Sequence, residues 1–250
     1  MTLPDPGSAA QEILHRTGHQ KLPVATSEIE SLFRGLQIKE EDLDGEGYLL
    51  TFQSLAPTII IRRESNAARK RFTIAHELGH LRLLEIGVDL KTYRANKVAV
   101  EQWCDAFAAA ILLPLPYLRT WASRFLPNSR WIQVVTSGPK EFGISREALC
   151  NRLANGLGLA IVIVDGHAGR FHIESAHWPN KVARSETLAL ANQVIKFAKD
   201  GVLGDHYYDT SSGYSIFSGT PKYLGKRRLL IVLQPGEKAG QVMVGSDRMA

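Results

Sequence analysis

Residues 71–80 read Arg-Phe-Thr-Ile-Ala-His-Glu-Leu-Gly-His, and this decapeptide contains the pattern H-E-x-x-H. The surrounding segment 67–84 is rich in helix-forming residues and predicts one helix. Four residues advance a helix by about 400°, so His76 and His80 project from one face and can reach one ion at about 2.0 to 2.1 Å. Glu77 lies about 100° round the helix, where its carboxylate can accept a proton from water without becoming a ligand.

The next predicted helix, 98–113, offers a third ligand. Glu101 and Asp105 are four positions apart on it, which places both carboxylates on one helical face. We expect Glu101 to complete a site of two histidines and one glutamate with an open fourth position. Asp105 can accept the N–H of a ligating histidine and fix its tautomer; a plain surface acid is the alternative. The set suits Zn²⁺, but Mn²⁺ or another divalent ion stays open.

The rest of the pattern predicts an α+β chain in three parts. Domain 1–116 contains the two helices above, earlier helices at 8–18 (capped by Ser8) and 25–36, and antiparallel strands at 47–52 and 58–62 around a turn at Ala56-Pro57. Module 117–158 has helices at 117–125, 132–142 and 145–155, the last capped by Ser145. Domain 159–250 has a hairpin of strands 159–165 and 170–174, a helix at 186–199, and strands at 228–234 and 241–245.

Composition excludes several classes of protein. The 250 residues are 44% hydrophobic and 22% charged with only two cysteines, which fits neither a disordered chain nor a disulfide scaffold. The longest apolar runs, such as 106–115 and 159–164, fall short of the roughly 18 to 20 residues that a bilayer core requires. Residues 1–20 lack the pattern of a secretory signal, so we expect a cytoplasmic protein with no membrane partner. The net charge of +5 names no partner by itself.

The motif residues resemble one family. The run 71–80, Glu101 and the string 106–114 (Ala-Phe-Ala-Ala-Ala-Ile-Leu-Leu-Pro) closely resemble the ImmA/IrrE family of metallopeptidases. Other segments match in the order that the family uses: Leu22-Pro23-Val24, the helix through Leu36, Asp42-Leu43-Asp44, Gly47-Tyr48-Leu49 and Ile59-Ile60-Ile61. The resemblance is specific over 20–114 and weaker elsewhere. Asp105 stands where the family often has Asn, which leaves the donor and acceptor of its contact open.

The resemblance implies a zincin-like, gluzincin-like metallopeptidase domain, followed by a helix-turn-helix-like module and a C-terminal GAF-like domain that serves as a sensor. It implies that His76, His80 and Glu101 are zinc ligands and that Glu77 is the catalytic acid and base. The implied function is a metalloendopeptidase that cleaves a helix-turn-helix transcriptional repressor after stress, such as DNA damage, and so derepresses its target genes.

Two further features of the expected cleft are candidates with ordinary alternatives. Tyr93, in the connection between the two helices, is a candidate for stabilising the oxyanion, with loop packing as the alternative. The strand through Ile59, Ile60 and Ile61, if it forms the edge of the cleft, can pair with an extended substrate through main-chain hydrogen bonds. A core strand is equally consistent with these residues.

The later parts of the chain carry less chemistry. Residues 140–149 resemble the turn of a helix-turn-helix, with Gly143 at the bend, but packing is favoured over DNA binding. Cys104 and Cys150 are expected to be small buried apolar residues. Residues 159–250 do not identify an effector, whether a small molecule or a nucleic acid.

Two other functions compete with the peptidase hypothesis. One is a DNA- or protein-binding transcriptional regulator in which the metal site is structural. The open fourth position and the presence of Glu77 argue against it, because a structural zinc site is normally closed by a fourth protein ligand. The other is an antitoxin or phage-associated anti-repressor of the same family.

Overall fold

Helices and strands alternate along the residues that the computed structural model describes, which are 3–16, 18, 28, 32–52, 55–88, 90–124, 131–167, 170–177, 207–209, 214–219 and 228–235. They form two units. One comprises Met1–Leu118 and Gly138–Ala148, and the other comprises Arg119–Ser137 and Leu149–Ala250. The mixture of elements confirms the predicted α+β class. The division into three domains and the helix-turn-helix-like and GAF-like assignments stay predictions.

The element bounds agree with most of the predicted segments. The helices are α1 (Pro6–Arg16), α2 (Ala67–Glu85), α3 (Leu90–Ala95), α4 (Lys97–Leu112), α5 (Leu115–Ala122), α6 (Trp131–Phe142) and α7 (Arg146–Leu157). The strands are β1 (Gln37–Glu41), β2 (Gly47–Phe52), β3 (Leu55–Arg62), β4 (Ala160–His167), β5 (Arg170–His177), β6 (Tyr207–Asp209), β7 (Tyr214–Gly219) and β8 (Arg228–Pro235). The predicted helices that became α2, α4, α6 and α7 are therefore confirmed.

The H-E-x-x-H segment lies in α2, a helix with defined ends. Asn66 caps its start, since the Asn66 side chain accepts a hydrogen bond from the Arg69 backbone N–H at 3.0 Å. At its end Gly87 adopts a φ of 82°, and the Val88 N–H donates to the Leu83 carbonyl at 3.0 Å. Residues 73–75 and 77–83 of α2 are buried on all sides of the helix, including Glu77 and His80. This helix therefore runs through the core.

The first sheet has the order β1-β3-β2, so β3 is its central strand. β1 runs parallel to β3 and β2 runs antiparallel to it, with Ile59 opposite both Ile38 and Leu49. Because both flanking positions are filled and α2 packs on this sheet, Ile59, Ile60 and Ile61 are all buried. Three consecutive apolar residues are typical of a strand covered on both faces.

Several local expectations are wrong. Ala56-Pro57 do not form a turn but lie inside β3, ahead of which residues 53–54 fall outside the described ranges. β1 was not predicted, because its sequence Gln-Ile-Lys-Glu-Glu has one apolar residue among four polar ones. The connection at 90–95 is the short helix α3 and not a loop. Most of the helix expected at 25–36 lies outside the described residues.

The start of α1 also differs from the expectation. The helix begins at Pro6, and Asp5 rather than Ser8 caps it, because the Asp5 carboxylate accepts the Ser8 backbone N–H at 2.7 Å. The indole Nε1 of Trp103 in α4 donates to the Pro4 carbonyl at 2.6 Å. The guanidinium of Arg82, buried in α2, pairs with Glu12 in α1 at 2.7 Å. These contacts fix α1 against both helices of the candidate site.

The second unit is built on an antiparallel sheet of order β5-β4-β8-β7-β6. The predicted hairpin of β4 and β5 and the predicted strand β8 are confirmed. The imidazole of His177, buried in β5, has its Nδ1 2.7 Å from the side-chain oxygen of Asn151. Asn151 therefore contributes to packing. The segments predicted at 186–199 and 241–245 lie outside the described residues.

Within the described ranges, no helix is long and apolar enough to cross a membrane on its own. Only α4 and α5 taken together pass the same test of length and hydropathy, and they are bent by 52° at the break between them.

Gly47, the first residue of β2, provides a test of the sheet packing. A Cβ on Gly47 would lie 2.6 Å from the Thr73 methyl and 2.8 Å from the Ile60 carbonyl oxygen, so one strand or helix must shift. We expect Gly47→Ala to lower the free energy of unfolding by about 1 to 3 kcal/mol. The matched control is Gly45→Ala, because Gly45 has open space at its Cβ. Equal urea midpoints for both variants would contradict this packing.

Candidate metal centre

α2 and α4 cross closely at Gly79. A Cβ on Gly79 would lie 3.1 Å from both the Cα and the Cβ of Cys104, which is tighter than ordinary van der Waals contact. Glycine at this position therefore lets the two backbones approach. Glu101 lies one turn before Cys104 on α4, so the same crossing carries its carboxylate towards the histidines of α2.

Three side chains converge at this crossing. The Nε2 atoms of His76 and His80 are 3.1 Å apart, and the Glu101 Oε2 lies 3.2 Å from the first and 3.7 Å from the second. The two imidazoles face each other edge to face, with ring centroids 4.8 Å apart. Each residue thus directs one potential ligand atom at a common point.

The spacing of these atoms fits a tetrahedral divalent ion. Ligand atoms about 2.0 to 2.1 Å from such an ion are about 3.3 Å from one another, and the three observed separations of 3.1, 3.2 and 3.7 Å bracket that value. Burial lowers the pKa of His80 to about 4, helped by its neighbour His76. His80 is therefore neutral near pH 7, as a metal ligand must be. The cluster can hold a divalent metal.

The other nitrogen of each histidine also has a partner. The His76 Nδ1 is 2.9 Å from the Asp105 carboxylate. A carboxylate only accepts, so the His76 Nδ1–H donates and its Nε2 keeps a lone pair for the ion. The His80 Nδ1 lies 2.7 Å from the Tyr93 hydroxyl and 3.2 Å from the Cys104 sulfur.

Glu77 faces the same cleft from α2 and is almost fully buried. Burial raises the pKa of its carboxyl group above the ordinary value, and a hydrogen bond from the Leu49 backbone in β2 opposes part of that rise. A carboxylate whose pKa is moved towards neutrality is suited to take up and return a proton. The backbone of β2 thus holds Glu77 beside the candidate ligands.

The cleft has a volume of about 560 Å³. Strand β2 forms one wall of the cleft, which is lined there by Gly47, Tyr48, Leu49 and Thr51. In the described part of the sheet, β2 is an edge strand and β3 is paired on both sides. The expectation that Ile59, Ile60 and Ile61 pair with a substrate is therefore wrong, because their main chain already pairs with β1 and β2. The edge open to the cleft is β2.

The structure brings together His76, Glu77, His80, Glu101 and Asp105, as their spacing on two helices suggested. Tyr93 also lines the cleft, but its hydroxyl contacts His80.

Sequence reasoning missed other lining residues. Phe72 and Leu84, one turn before His76 and one turn after His80, are implied by the helix period alone. The roles of Leu49 and Cys104 depend on strand order and helix crossing, for which the sequence carries no local signal.

Three comparisons bear on this geometry. The family model described as the IrrE N-terminal-like domain, of peptidase family M78, matches residues 34–154, just under half of the chain. The radiation response metalloprotease IrrE of Deinococcus radiodurans is 36% identical over 78 residues. A Mycobacterium tuberculosis transcriptional regulator superimposes with a TM-score of 0.53 and 16% identity, over 92% of this chain and 74% of that chain.

These matches cover different shares of the chain. The match to the Deinococcus protein covers 29% of this chain and 24% of its relative, so the chain spans about a quarter of the length of that curated protein. The match to the mycobacterial structure extends over most of the chain, and at its low identity it shows the fold alone. The matched family segment contains every candidate ligand.

The ligand set predicts a stabilising effect of metal. Zinc at about 100 times its dissociation constant should raise the free energy of unfolding of the wild type by about 2.7 kcal/mol, because it binds only the folded state. Glu101→Ala removes one of three ligands and should lose most of this gain. Gln102→Ala, at the exposed neighbouring position of α4, is the matched control. Calorimetry with and without zinc measures the difference, and equal gains in all three proteins would contradict the site.

Proposed function

Because residues 34–154 belong to the ImmA/IrrE family of metallopeptidases, we propose that this chain is a zinc-dependent endopeptidase that cuts a helix-turn-helix repressor in response to stress and so derepresses its target genes. One observation carries the peptidase part of the proposal. His76, His80 and Glu101 converge on one point of a cleft that also contains Glu77 and the open edge of β2.

The residues of the chain divide the chemistry among them. His76, His80 and Glu101 would hold the ion, which when bound supplies Lewis acidity that polarises a peptide carbonyl and acidifies water. Glu77 accepts the proton of the attacking water and later returns it to the leaving amine, so proton uptake and release balance over the reaction. Burial of Glu77 suits both steps, because it weakens the preference for the charged carboxylate.

The cleft favours an extended peptide as substrate. In the described part of the sheet β2 is an edge strand, although the Leu49 backbone already bonds to Glu77. An extended segment that adds along this edge is held by main-chain hydrogen bonds independent of its sequence. Tyr48 and Leu49 line the cleft along this edge and supply contacts for side chains of the substrate. An edge of this kind requires that the cleaved segment be unfolded or in a flexible linker.

A repressor as substrate is supported more indirectly. The family resemblance implies it, and the Deinococcus relative is named a radiation response metalloprotease. The competing function is a binding regulator with a structural metal site. The open cleft beside the three ligands disfavours that function, because structural zinc sites are closed by a fourth protein ligand.

The decisive test combines the purified chain with the helix-turn-helix repressor encoded nearest its gene, in the presence of zinc or manganese. We expect wild type to produce one defined cut, read by intact mass. Glu77→Gln keeps the shape of the side chain but loses its basicity, and we expect cleavage to fall by about 10²- to 10⁴-fold.

Glu64→Gln makes the same chemical change at an exposed carboxylate and should cleave like wild type. Equal cutting by wild type and Glu77→Gln would refute the assigned role of Glu77. No cut by any variant, with the repressor retained in a stable complex, would favour the binding regulator.

A regulatory peptidase should also be selective. A chain that digested any exposed polypeptide would damage its own cell, so we expect slow turnover of casein compared with the repressor. Release of casein fragments is measured at equal enzyme concentration under the conditions of the repressor assay. Rapid casein digestion would contradict a dedicated substrate.

A further inference from the structure

The two candidate ligand histidines differ in the group that contacts their Nδ1 atom. His76 has a carboxylate, Asp105, at its Nδ1. His80 has a neutral hydroxyl, that of Tyr93, at the short distance of 2.7 Å from its Nδ1. The phenol ring also packs against the imidazole, with centroids 5.6 Å apart. Tyr93 therefore contacts a candidate ligand directly.

The direction of this hydrogen bond follows from the geometry. The His80 Nε2 points at the His76 Nε2 and the Glu101 carboxylate, so it must carry a lone pair when an ion is held there. A neutral imidazole has one proton, which then resides on Nδ1. The nearest oxygen to that proton is the Tyr93 hydroxyl, which must accept it.

We propose that Tyr93 is a positioning residue, whose hydroxyl accepts the Nδ1–H of His80 and so holds this ligand in the tautomer and orientation that metal binding requires. The inference rests on the metal centre of the proposed function. It replaces the role of Tyr93 in stabilising an oxyanion, because the hydroxyl is already committed to His80.

The surroundings of Tyr93 support this role. A phenol is a neutral group, and its oxygen accepts a hydrogen bond without adding charge to the site. The site already contains the carboxylates of Glu77, Glu101 and Asp105, and a further anion at this point would be repelled by them.

Cys104 is the alternative partner of His80 and is less suited to the task. Its sulfur lies 3.2 Å from the His80 Nδ1, and a thiol is a weak acceptor. Its main role is to pack closely against Gly79.

The test is Tyr93→Phe, which keeps the ring and removes the oxygen. Zinc affinity is measured by competition with a chromophoric chelator, with no substrate present. We expect the affinity for zinc to fall by about 10- to 100-fold, the usual effect of removing the hydrogen-bond partner of a metal-ligating histidine. Long-range ¹H–¹⁵N spectra of the metal-free protein give the tautomer of His80, and we expect the fraction protonated at Nε2 to rise in the variant. A purely structural role would not move that fraction.

Two controls make the outcome decisive. Tyr48→Phe removes another cleft hydroxyl, from a tyrosine that is 42% exposed, and should bind zinc like wild type. Cys104→Ala should lose less affinity than Tyr93→Phe. Wild-type affinity and an unchanged His80 tautomer in Tyr93→Phe would overturn the proposal, as would a larger loss in Cys104→Ala. Since neither readout requires cleavage, failure to cut a repressor would leave this result intact.

Discussion

The candidate centre depends on the close crossing of α2 and α4 at Gly79. Glycine permits this approach, since a Cβ at position 79 would lie 3.1 Å from both the Cα and the Cβ of Cys104. This contact sets the separation of the helices, and that separation decides whether Glu101 reaches the two histidines of α2. The motif H-E-x-x-H supplies two ligands by helical periodicity alone, whereas the third requires a tertiary contact. Gly79 lies inside the motif, and by allowing the close crossing it brings in Glu101, the third ligand that the motif itself does not supply.

The same region shows how burial is used to adjust protonation. Glu77 and His80 are polar groups in a core helix, and both are shifted towards their neutral forms by loss of water. Hydrogen bonds from the backbone of β2 and from neighbouring side chains limit the penalty. Burying these groups lowers the stability of the fold but leaves them reactive, as is common at functional sites.

The sequence was informative where the relevant physics is local. Helical periodicity placed His76, Glu77 and His80 on α2 and brought Glu101 and Asp105 to one face of α4. Periodicity did not predict β1, because its charged residues show no strand pattern and its pairing depends on the neighbouring strand β3. It also left open whether Ile59, Ile60 and Ile61 form an edge strand or a core strand, because three isoleucines indicate burial but not strand order. The contact of Tyr93 with His80 likewise depends on how α3 is placed in space.

The two edges of the first sheet are treated differently. β1 exposes Lys39, Glu40 and Glu41, and charges of this kind discourage another chain from docking alongside. β2 instead ends at the exposed Phe52, which lies opposite the exposed Leu55 at the start of β3. If this edge receives a substrate strand, the same main-chain hydrogen bonds would be available to β2 of a second copy of the chain. Self-association through β2 would then compete with substrate binding, and a lower protein concentration would reduce this competition.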